Sequence, residues 1–600
     1  MGRNASKFWA VRRGGNPAIL GMAAIVLASL LVWIPYLVRG FSCGHDFDFH
    51  FESWYEIAQG WKHGLVYPHW AQSPNWGAGE PRFIFYPPLT WILGAVLGLT
   101  VGWSFAAPVL LWLLLCATGL SVRALARLWF GEMTAALAGA LAVFSGYTLF
   151  TAFERGAYSE LACGALLPML LLYAMRNQQP HSASTWRQAL DGSTLPLAII
   201  LALLWLTNVP AAIMACYLMV FLAILTAWIE RAGWPVARAL VAVPLGLLGA
   251  AISIVPAVHE QRWIQIAAAT DSGMRFQDSW LFSHHPAADM AIHDSVLQLA
   301  SWLVITMVAA TVAAFLIARL RKTLALMPRA PLALFIALPI IVLLMQIPFS
   351  SFLWIILPKF YLLQFPWRLL LLLEAPLALF SAAALAACTL RARAVSLCIA
   401  AAAMLLITLA SGLFFYQNCD VEDTATSQVA NMQSGAGVEG TDEYAAPGAD
   451  NDLVPTGLPD ACLLEDAQSP LAENNGDTTP AWDPGEERCD AVFHADRWQP
   501  EAKSLTAPTD EDGFLVLRLR EYPAWRVTVN GVVQKNLPHR EDGLITIPVR
   551  EGSNKIEVDW TTTPDIWAAR GLSLLSLPLF LLLWRKERRW KGRANTAQLS

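Results

Sequence analysis

Apolar runs close to twenty residues long recur along the chain. As helices, runs of that length cross the roughly 30 Å hydrocarbon core of a bilayer. They fall at 17–38, 105–126, 133–150, 159–175, 195–208, 210–230, 236–258, 296–318, 331–347, 368–388, 394–415 and 566–584. The pattern predicts an α-helical polytopic membrane protein with about 12 transmembrane helices. Basic residues mark every second connection. Arg12 and Arg13 precede the first run, Arg123 and Arg127 end the second, and Arg176 and Arg187 follow the fourth. Arg231 and Arg238 follow the sixth, Arg319, Arg321 and Lys322 the eighth, Arg391 and Arg393 the tenth, and RKERRWKGR the last. Basic loops stay in the cytoplasm, so both termini are expected there. The run at 88–103, PLTWILGAVLGLTVGW, breaks this alternation if it crosses. It is short and glycine-rich, and is read as a helix that lies along or dips into the outer face.

Segments 39–104, 259–295 and 416–565 then lie outside, joined by the loop 348–367. The last of these changes period. FLVLRLR (514–520), WRVTVNGVVQ (525–534), GLITIPV (543–549) and SNKIEVDW (553–560) alternate polar and apolar residues, with Asn530-Gly531 and Asp542-Gly543 between them. Asn-Gly between alternating runs signals a hairpin. The expected domains are therefore three. Residues 1–415 form a transmembrane domain with a first outer loop at 39–104, 416–565 a β-rich sandwich-like domain, and 566–600 a last helix with a basic tail.

Composition agrees with this plan. The chain is 56% hydrophobic and only 14% charged, with a mean hydropathy of +0.46; soluble domains carry about 25% charged residues. The first run is long and no small-residue cleavage site follows it, so it reads as an uncleaved helix. No basic stripe with interleaved aromatics suggests nucleic-acid binding. Of nine cysteines, Cys43, Cys419, Cys462 and Cys489 lie outside, where oxidation is possible. Four cysteines allow three connectivities. Cys462–Cys489 is the expected pair, clamping an acidic, weakly patterned loop.

Candidate chemistry gathers at the outer surface. GHDFDFHFESW, 44–54, follows the first run directly. In a helix Asp46 and His50 lie one turn apart, as do Asp48 and Glu52. A carboxylate there can take a proton from a substrate hydroxyl, and a neighbouring carboxylate raises one of the two pKa values. Such a run also serves as a solvated acidic turn. Asp46-Phe47-Asp48 has the form that elsewhere holds a divalent ion, Mg or Mn, beside a diphosphate; no other metal-ligand spacing occurs. The segment 64–89, with Tyr86, is dense in Trp, Tyr, Pro and Gly, as a rigid sugar- or prenyl-binding surface would be. Other outer loops supply Arg155 and Glu160, Arg262, Lys359 and Arg368. Arginine is a natural phosphate ligand, and equally an interfacial anchor.

HDxxFH (His45, Asp46, Phe49, His50), YPHW, GAGEPRFIFYPPL, ERGAYSE, QFPWR and GTDEY (440–444) together resemble bacterial membrane proteins termed 6-pyruvoyl-tetrahydropterin synthase-related. YPAWRVTVNG resembles the C-terminal part of YfhO-like membrane proteins. The layout also resembles the glycosyltransferase C superfamily, with many spans, a long first outer loop and an acid just after the first helix. That resemblance implies a sugar donor on a polyprenyl phosphate, an envelope acceptor and an inverting transfer in the bacterial inner membrane. By it Asp46 is the catalytic base with Asp48 close behind, and His45, His50, Tyr86, Arg155, Glu160, Arg262, Lys359 and Arg368 are candidate substrate contacts. Pterin synthase chemistry belongs to a small soluble fold with a zinc-binding histidine triad, which a membrane body does not offer. The other class is a non-catalytic transporter or assembly factor for envelope polymers. Transporters keep ionisable groups near mid-membrane, whereas most spans here lack them.

Overall fold

The computed structural model describes residues 16–176, 193–386, 389–473, 479–483, 492–493 and 495–597. Among these, nine helices are long and apolar enough to cross a membrane: Pro17–Arg39, Trp103–Ala126, Glu132–Phe153, Tyr158–Met175, Val209–Glu230, Ala288–Leu320, Pro366–Leu385, Leu390–Phe414 and Pro564–Lys586. Two more expected runs are broken helices. Trp234–Gly249 and Ala251–Trp263 meet at 72°, and Arg329–Leu344 and Pro348–Ile356 at 104°. The second break precedes Pro348, which cannot donate to a preceding turn. The expected span at 195–208 is a helix of only 12 residues, Thr194–Trp205. It rises about 18 Å.

The run at 88–103 forms Leu89–Val101, 13 residues long and also too short to cross. It packs between the helix Phe47–Lys62 and the helix Trp103–Ala126. Its glycines have a packing cause. A Cβ on Gly94 would lie 2.1 Å from the Trp54 ring, and one on Gly98 would lie 2.2 Å from Trp103.

The β-rich region is two antiparallel sheets. The strands are β1 Ala461–Leu464, β2 Val492–Phe493, β3 Arg497–Gln499, β4 Ala502–Thr509, β5 Gly513–Arg520, β6 Trp525–Val529, β7 Val532–Val533, β8 Leu544–Val549 and β9 Gly552–Trp560. The sheet orders are β2-β1-β5-β8 and β3-β4-β9-β6-β7. Leu515, Leu517 and Ile547 of one sheet share a buried core with Leu505, Val527, Ile556 and Val558 of the other, which makes the pair a sandwich. The four alternating runs are β5, β6 with β7, β8 and β9. Asn530 and Gly531, at φ 51° and 79°, form the β6–β7 turn that Asn-Gly predicts. Strands β1 to β4 lie in segments without clear periodicity. β1 is buried on both faces, and β4 carries Pro508 and the buried Lys503.

The sandwich core does not close by itself. Trp70, from the segment 39–104, is buried in it with its ring 5.2 Å from that of Trp525. Tyr522 stacks on Trp560 at 5.6 Å and hydrogen-bonds Glu260 at the end of the bent helix.

A disulfide, Cys43–Cys419, joins the start of the segment 39–104 to the start of the segment leading to the sandwich, across 376 residues of sequence. Cys462 is also disulfide-bonded; its expected partner, Cys489, lies outside the described residues. A non-reducing peptide map of protein from the native envelope is expected to recover the Cys43 and Cys419 peptides as one linked species. Cys43→Ser should lower stability by about 2–4 kcal/mol, the usual scale for a native disulfide, read as a fall in melting temperature. Free thiols at both positions would contradict the linkage.

Candidate active site

The helix Phe47–Lys62 begins at Asp46, and what fixes Asp46 is a crossing of two backbones. The His45 and Asp46 amides donate to the carbonyls of Glu154 and Arg155, at 3.2 and 2.6 Å. Only glycine permits the approach: a Cβ on Gly44 would lie 2.4 Å from the Gly156 nitrogen, and Gly156 has φ 63°. The crossing sets Asp46 beside the Arg155 side chain. Arg155 Nη2 donates to Asp46 Oδ2 at 3.0 Å, and Nη1 donates to Glu160 Oε2 at 2.5 Å. Arg368 Nε lies 3.4 Å from the same Glu160 oxygen, without hydrogen-bond alignment. Arg368 Nη1 donates to the Leu363 carbonyl and Gln364 Oε1, at 3.0 and 2.9 Å. Tyr147 donates to the other Glu160 oxygen. Two arginines and two carboxylates from three parts of the chain thus form one cluster. Glu160, Arg155 and Arg368 are buried, while the Asp46 side chain is 40% exposed.

His50, one turn on, is buried and accepts at Nδ1 from Trp91 Nε1 at 2.8 Å. The proton of its neutral ring therefore sits on Nε2, which is buried with no partner among the described residues. Burial pushes the imidazole down to about 4, so it is uncharged at neutral pH. Tyr86 lies flat on Trp91 at 4.4 Å and edge-on to His50 at 5.6 Å. His45 is half exposed, 3.5 Å from Glu154, and that carboxylate raises its pKa.

Asp48 does not join Asp46. Its Oδ1 accepts from Gln428 Nε2 at 2.5 Å, on the helix Ala425–Ser434. Burial, reinforced by Asp423, lifts its carboxyl to about 6. The two aspartates take separate partners, and no third His, Cys, Asp or Glu ligand joins them among the described residues. Arg262 is exposed, pairs with His259 at 2.8 Å and covers the Trp263 ring. Lys359 is exposed at φ 60°. Neither contacts the Asp46–Arg368 cluster among the described residues. Glu374 accepts from Thr148 at 2.7 Å.

The motif glycines and acids of GAGEPR and GTDEY find a use beside the cluster. Arg82, fully buried, donates to Glu80 at 2.6 Å and to Glu52 at 3.2 Å, and lies over the Phe49 ring at 4.7 Å. Glu80 accepts from the Thr441 amide at 2.9 Å, and Tyr444 stacks on Phe85. Gly440 presses on Asn75, where a Cβ would come within 2.0 Å. These contacts fasten the strand-bearing segment to the segment 39–104. At the far end of Phe47–Lys62, a cleft of about 440 Å³ is lined by Tyr55, Glu56, Lys62, His63, Trp498 and Arg518. Glu56 is ten residues along from Asp46, about 15 Å at the helical rise, so the cleft is separate from the cluster. Tyr147 and Gln428 lie outside every motif, whereas Arg82, Glu80, Glu52 and Thr441 lie within motifs whose pairing the sequence does not give. Their contacts follow from tertiary approach, and only Gly44 and Gly156 hint at it in sequence.

Compared with known proteins, the 6-pyruvoyl-tetrahydropterin synthase related domain, described as a membrane protein, matches residues 83–418. No curated protein matches the chain. Among solved structures it is similar to the apo oligosaccharyltransferase of Archaeoglobus fulgidus, at 12% identity over 67% of this chain and 56% of that one, TM-score 0.40. It is also similar to ArnT from Cupriavidus metallidurans bound to undecaprenyl phosphate, at 13% identity over 70% and 78%, TM-score 0.38. A third is the arabinofuranosyltransferase AftD from Mycobacteria, at 17% identity over 66% and 27%, TM-score 0.37. The chain spans little more than half the length of the archaeal oligosaccharyltransferase.

The Arg82 network carries a pH signature. Burial, against the pull of Arg82, raises Glu52 from 4.5 to about 8. The folded protein therefore holds a proton that the unfolded chain releases. The stabilisation is complete below the unfolded value and is lost as pH rises through about 8. Glu52→Gln removes this loss. Its melting temperature, measured against wild type from about pH 6 to about pH 9, should gain on wild type as pH rises. A difference that stays constant across that range would contradict a protonated Glu52.

Proposed function

The chain belongs to the 6-pyruvoyl-tetrahydropterin synthase related family of membrane proteins, and we propose that it transfers a sugar from a polyprenyl-phosphate carrier to an acceptor of the cell envelope. The observation that carries this reading is the cluster itself: a part-exposed Asp46 held by Arg155, with Glu160 and Arg368 buried behind it. In the proposed reaction an acceptor hydroxyl reaches Asp46. Arg155 engages Oδ2, and Oδ1 has no hydrogen bond among the described residues. Oδ1 takes the hydroxyl proton as the acceptor oxygen bonds to the anomeric carbon. The bond from that carbon to the phosphate oxygen breaks, its electron pair leaves with the phosphate, and the anomeric configuration inverts. Arg155 and Arg368 face the leaving charge, and the His50 Nε2–H is a donor for a substrate oxygen. Tyr86, with its ring against Trp91, offers an apolar face to a sugar or prenyl group. His45 lines the entrance. Asp48, Arg262 and Lys359 are left outside the chemistry. In this reading the sandwich lies on the outer face of a bacterial inner membrane and both termini are cytoplasmic.

The test is purified protein incubated with a panel of polyprenyl-phosphate sugars, following donor consumption. Asp46→Asn keeps size and hydrogen bonding but removes the base, and should cost about 100-fold or more in rate with donor binding retained. Asp48→Asn and Arg262→Ala should leave the rate within a few-fold of wild type. Transfer by Asp46→Asn at the wild-type rate would remove Asp46 from the mechanism. Donor bound yet never consumed by wild type would point instead to a carrier or assembly role.

A further inference from the structure

A second group of ligating side chains lies away from Asp46, where the loop after Trp280 enters the helix Ala288–Leu320. His285, His293 and Asp294 each offer a ligand atom, and these atoms lie within 4.8 Å of one another. We propose that His285, His293 and Asp294 bind a divalent transition-metal ion of the zinc class.

The donor set suits such an ion. Two imidazoles and one carboxylate carry a single negative charge against two positive ones, and imidazole nitrogen favours zinc over magnesium or calcium. The carboxylate is already committed to this place. Asp294 Oδ1 lies 2.6 Å from His285 Nδ1, and Oδ2 accepts from the His285 amide at 2.7 Å. Two ligands on one tetrahedral zinc stand about 3.3 Å apart, so a shift of under an ångström turns that hydrogen bond into shared coordination. His284, next in sequence, reaches Asp294 Oδ2 at 2.7 Å with its ring 83% exposed. It can supply a fourth ligand by a side-chain rotation; otherwise water does. Asp294 and His285 are mostly buried, which shields the site from full hydration.

What packs on the site gives it a role. The His293 ring lies 6.5 Å from Phe365 and 6.3 Å from Trp367, which stack on each other at 4.6 Å. Arg368 follows Trp367 directly and lies over Phe365 at 5.0 Å. The bound ion would fasten the 284–285 loop to the helix and brace the aromatic pair from which Arg368 extends. This inference stands apart from the transfer reaction, because its test reads metal rather than product.

The test uses the full chain, purified in detergent by a tag without histidines, stripped with chelator and titrated with zinc chloride. Calorimetry and metal analysis after desalting should give one tightly held equivalent, with a rise in melting temperature. Cobalt in its place should show visible absorption bands of tetrahedral ligation. His285→Ala with His293→Ala should abolish that equivalent, and Asp294→Asn should weaken it by about ten-fold or more. Asp46→Asn with Asp48→Asn should leave it unchanged. No bound equivalent in wild type would overturn the proposal, as would an equivalent kept by the double histidine variant. If that variant does not fold, the cobalt spectrum of wild type decides: octahedral bands, or none, refute the site.

Discussion

A buried guanidinium needs carboxylates, and the loop side of this protein is organised around giving them to Arg155. Its charge is met by Asp46 on one side and Glu160 on the other. Neither is near it in the chain by accident of helix spacing. Asp46 arrives because Gly44 and Gly156 let two backbones touch, and Glu160 because the helix Tyr158–Met175 starts just after Arg155. Removing Glu160 would leave two buried guanidinium groups facing only the part-exposed Asp46, a loss on the scale of about 3–5 kcal/mol for an uncompensated buried charge, whereas the intact network adds little net stability. The network is therefore better understood as a constraint on geometry than as a source of stability. It holds a carboxylate at the surface at a fixed distance from two cations.

The same economy explains the aromatic first loop. Trp54 and Trp103 seat in the spaces left by Gly94 and Gly98, and Trp70 completes the core of a sandwich whose strands lie some four hundred residues later in the chain. Cys43–Cys419 and the Glu80–Thr441 contact close the same interval. The sandwich is thus not a separate bead on the membrane body. Trp70 and the Glu80–Thr441 contact tie it to the segment that carries the helix Phe47–Lys62.

Hydropathy made the membrane helices readable because lipid imposes one length and one chemistry on them. At 195–208 the apolar character also serves burial among other helices: Leu197, Ala198 and Leu204 are fully buried. The hairpin at Asn530-Gly531 was readable because its turn demands positive φ. β1 to β4 were not: β1 is buried on both faces, β2 and β3 are short edge strands, and β4 alternates in burial but puts Lys503 and Thr509 on its buried face. Of the residues singled out in sequence, Asp46, Arg155, Glu160 and Arg368 are brought into one cluster by the fold. Asp48 stands apart from it, because spacing along a helix says which residues share a face and not what stands opposite. Gln428 stands opposite, 380 residues away.

The resting charge of the cluster bears on how the proposed reaction would gain its selectivity. Asp46 and Glu160 offset Arg155 and Arg368, so the cluster is neutral before substrate arrives. A neutral cluster grips a carrier phosphate only modestly, and the lipid tail must supply much of the ground-state affinity. When Asp46 takes a proton, one carboxylate charge disappears and the cluster becomes a net cation. At that moment the leaving phosphate gains a negative charge. The attraction between cluster and phosphate is therefore strongest as the glycosidic bond breaks, and an interaction that strengthens toward the transition state is what accelerates a chemical step. Glu160 matters in this account without touching substrate. It cancels the repulsion that would otherwise drive the two guanidinium groups apart, and it stays charged while Asp46 does not, so the gain is one unit of charge and no more.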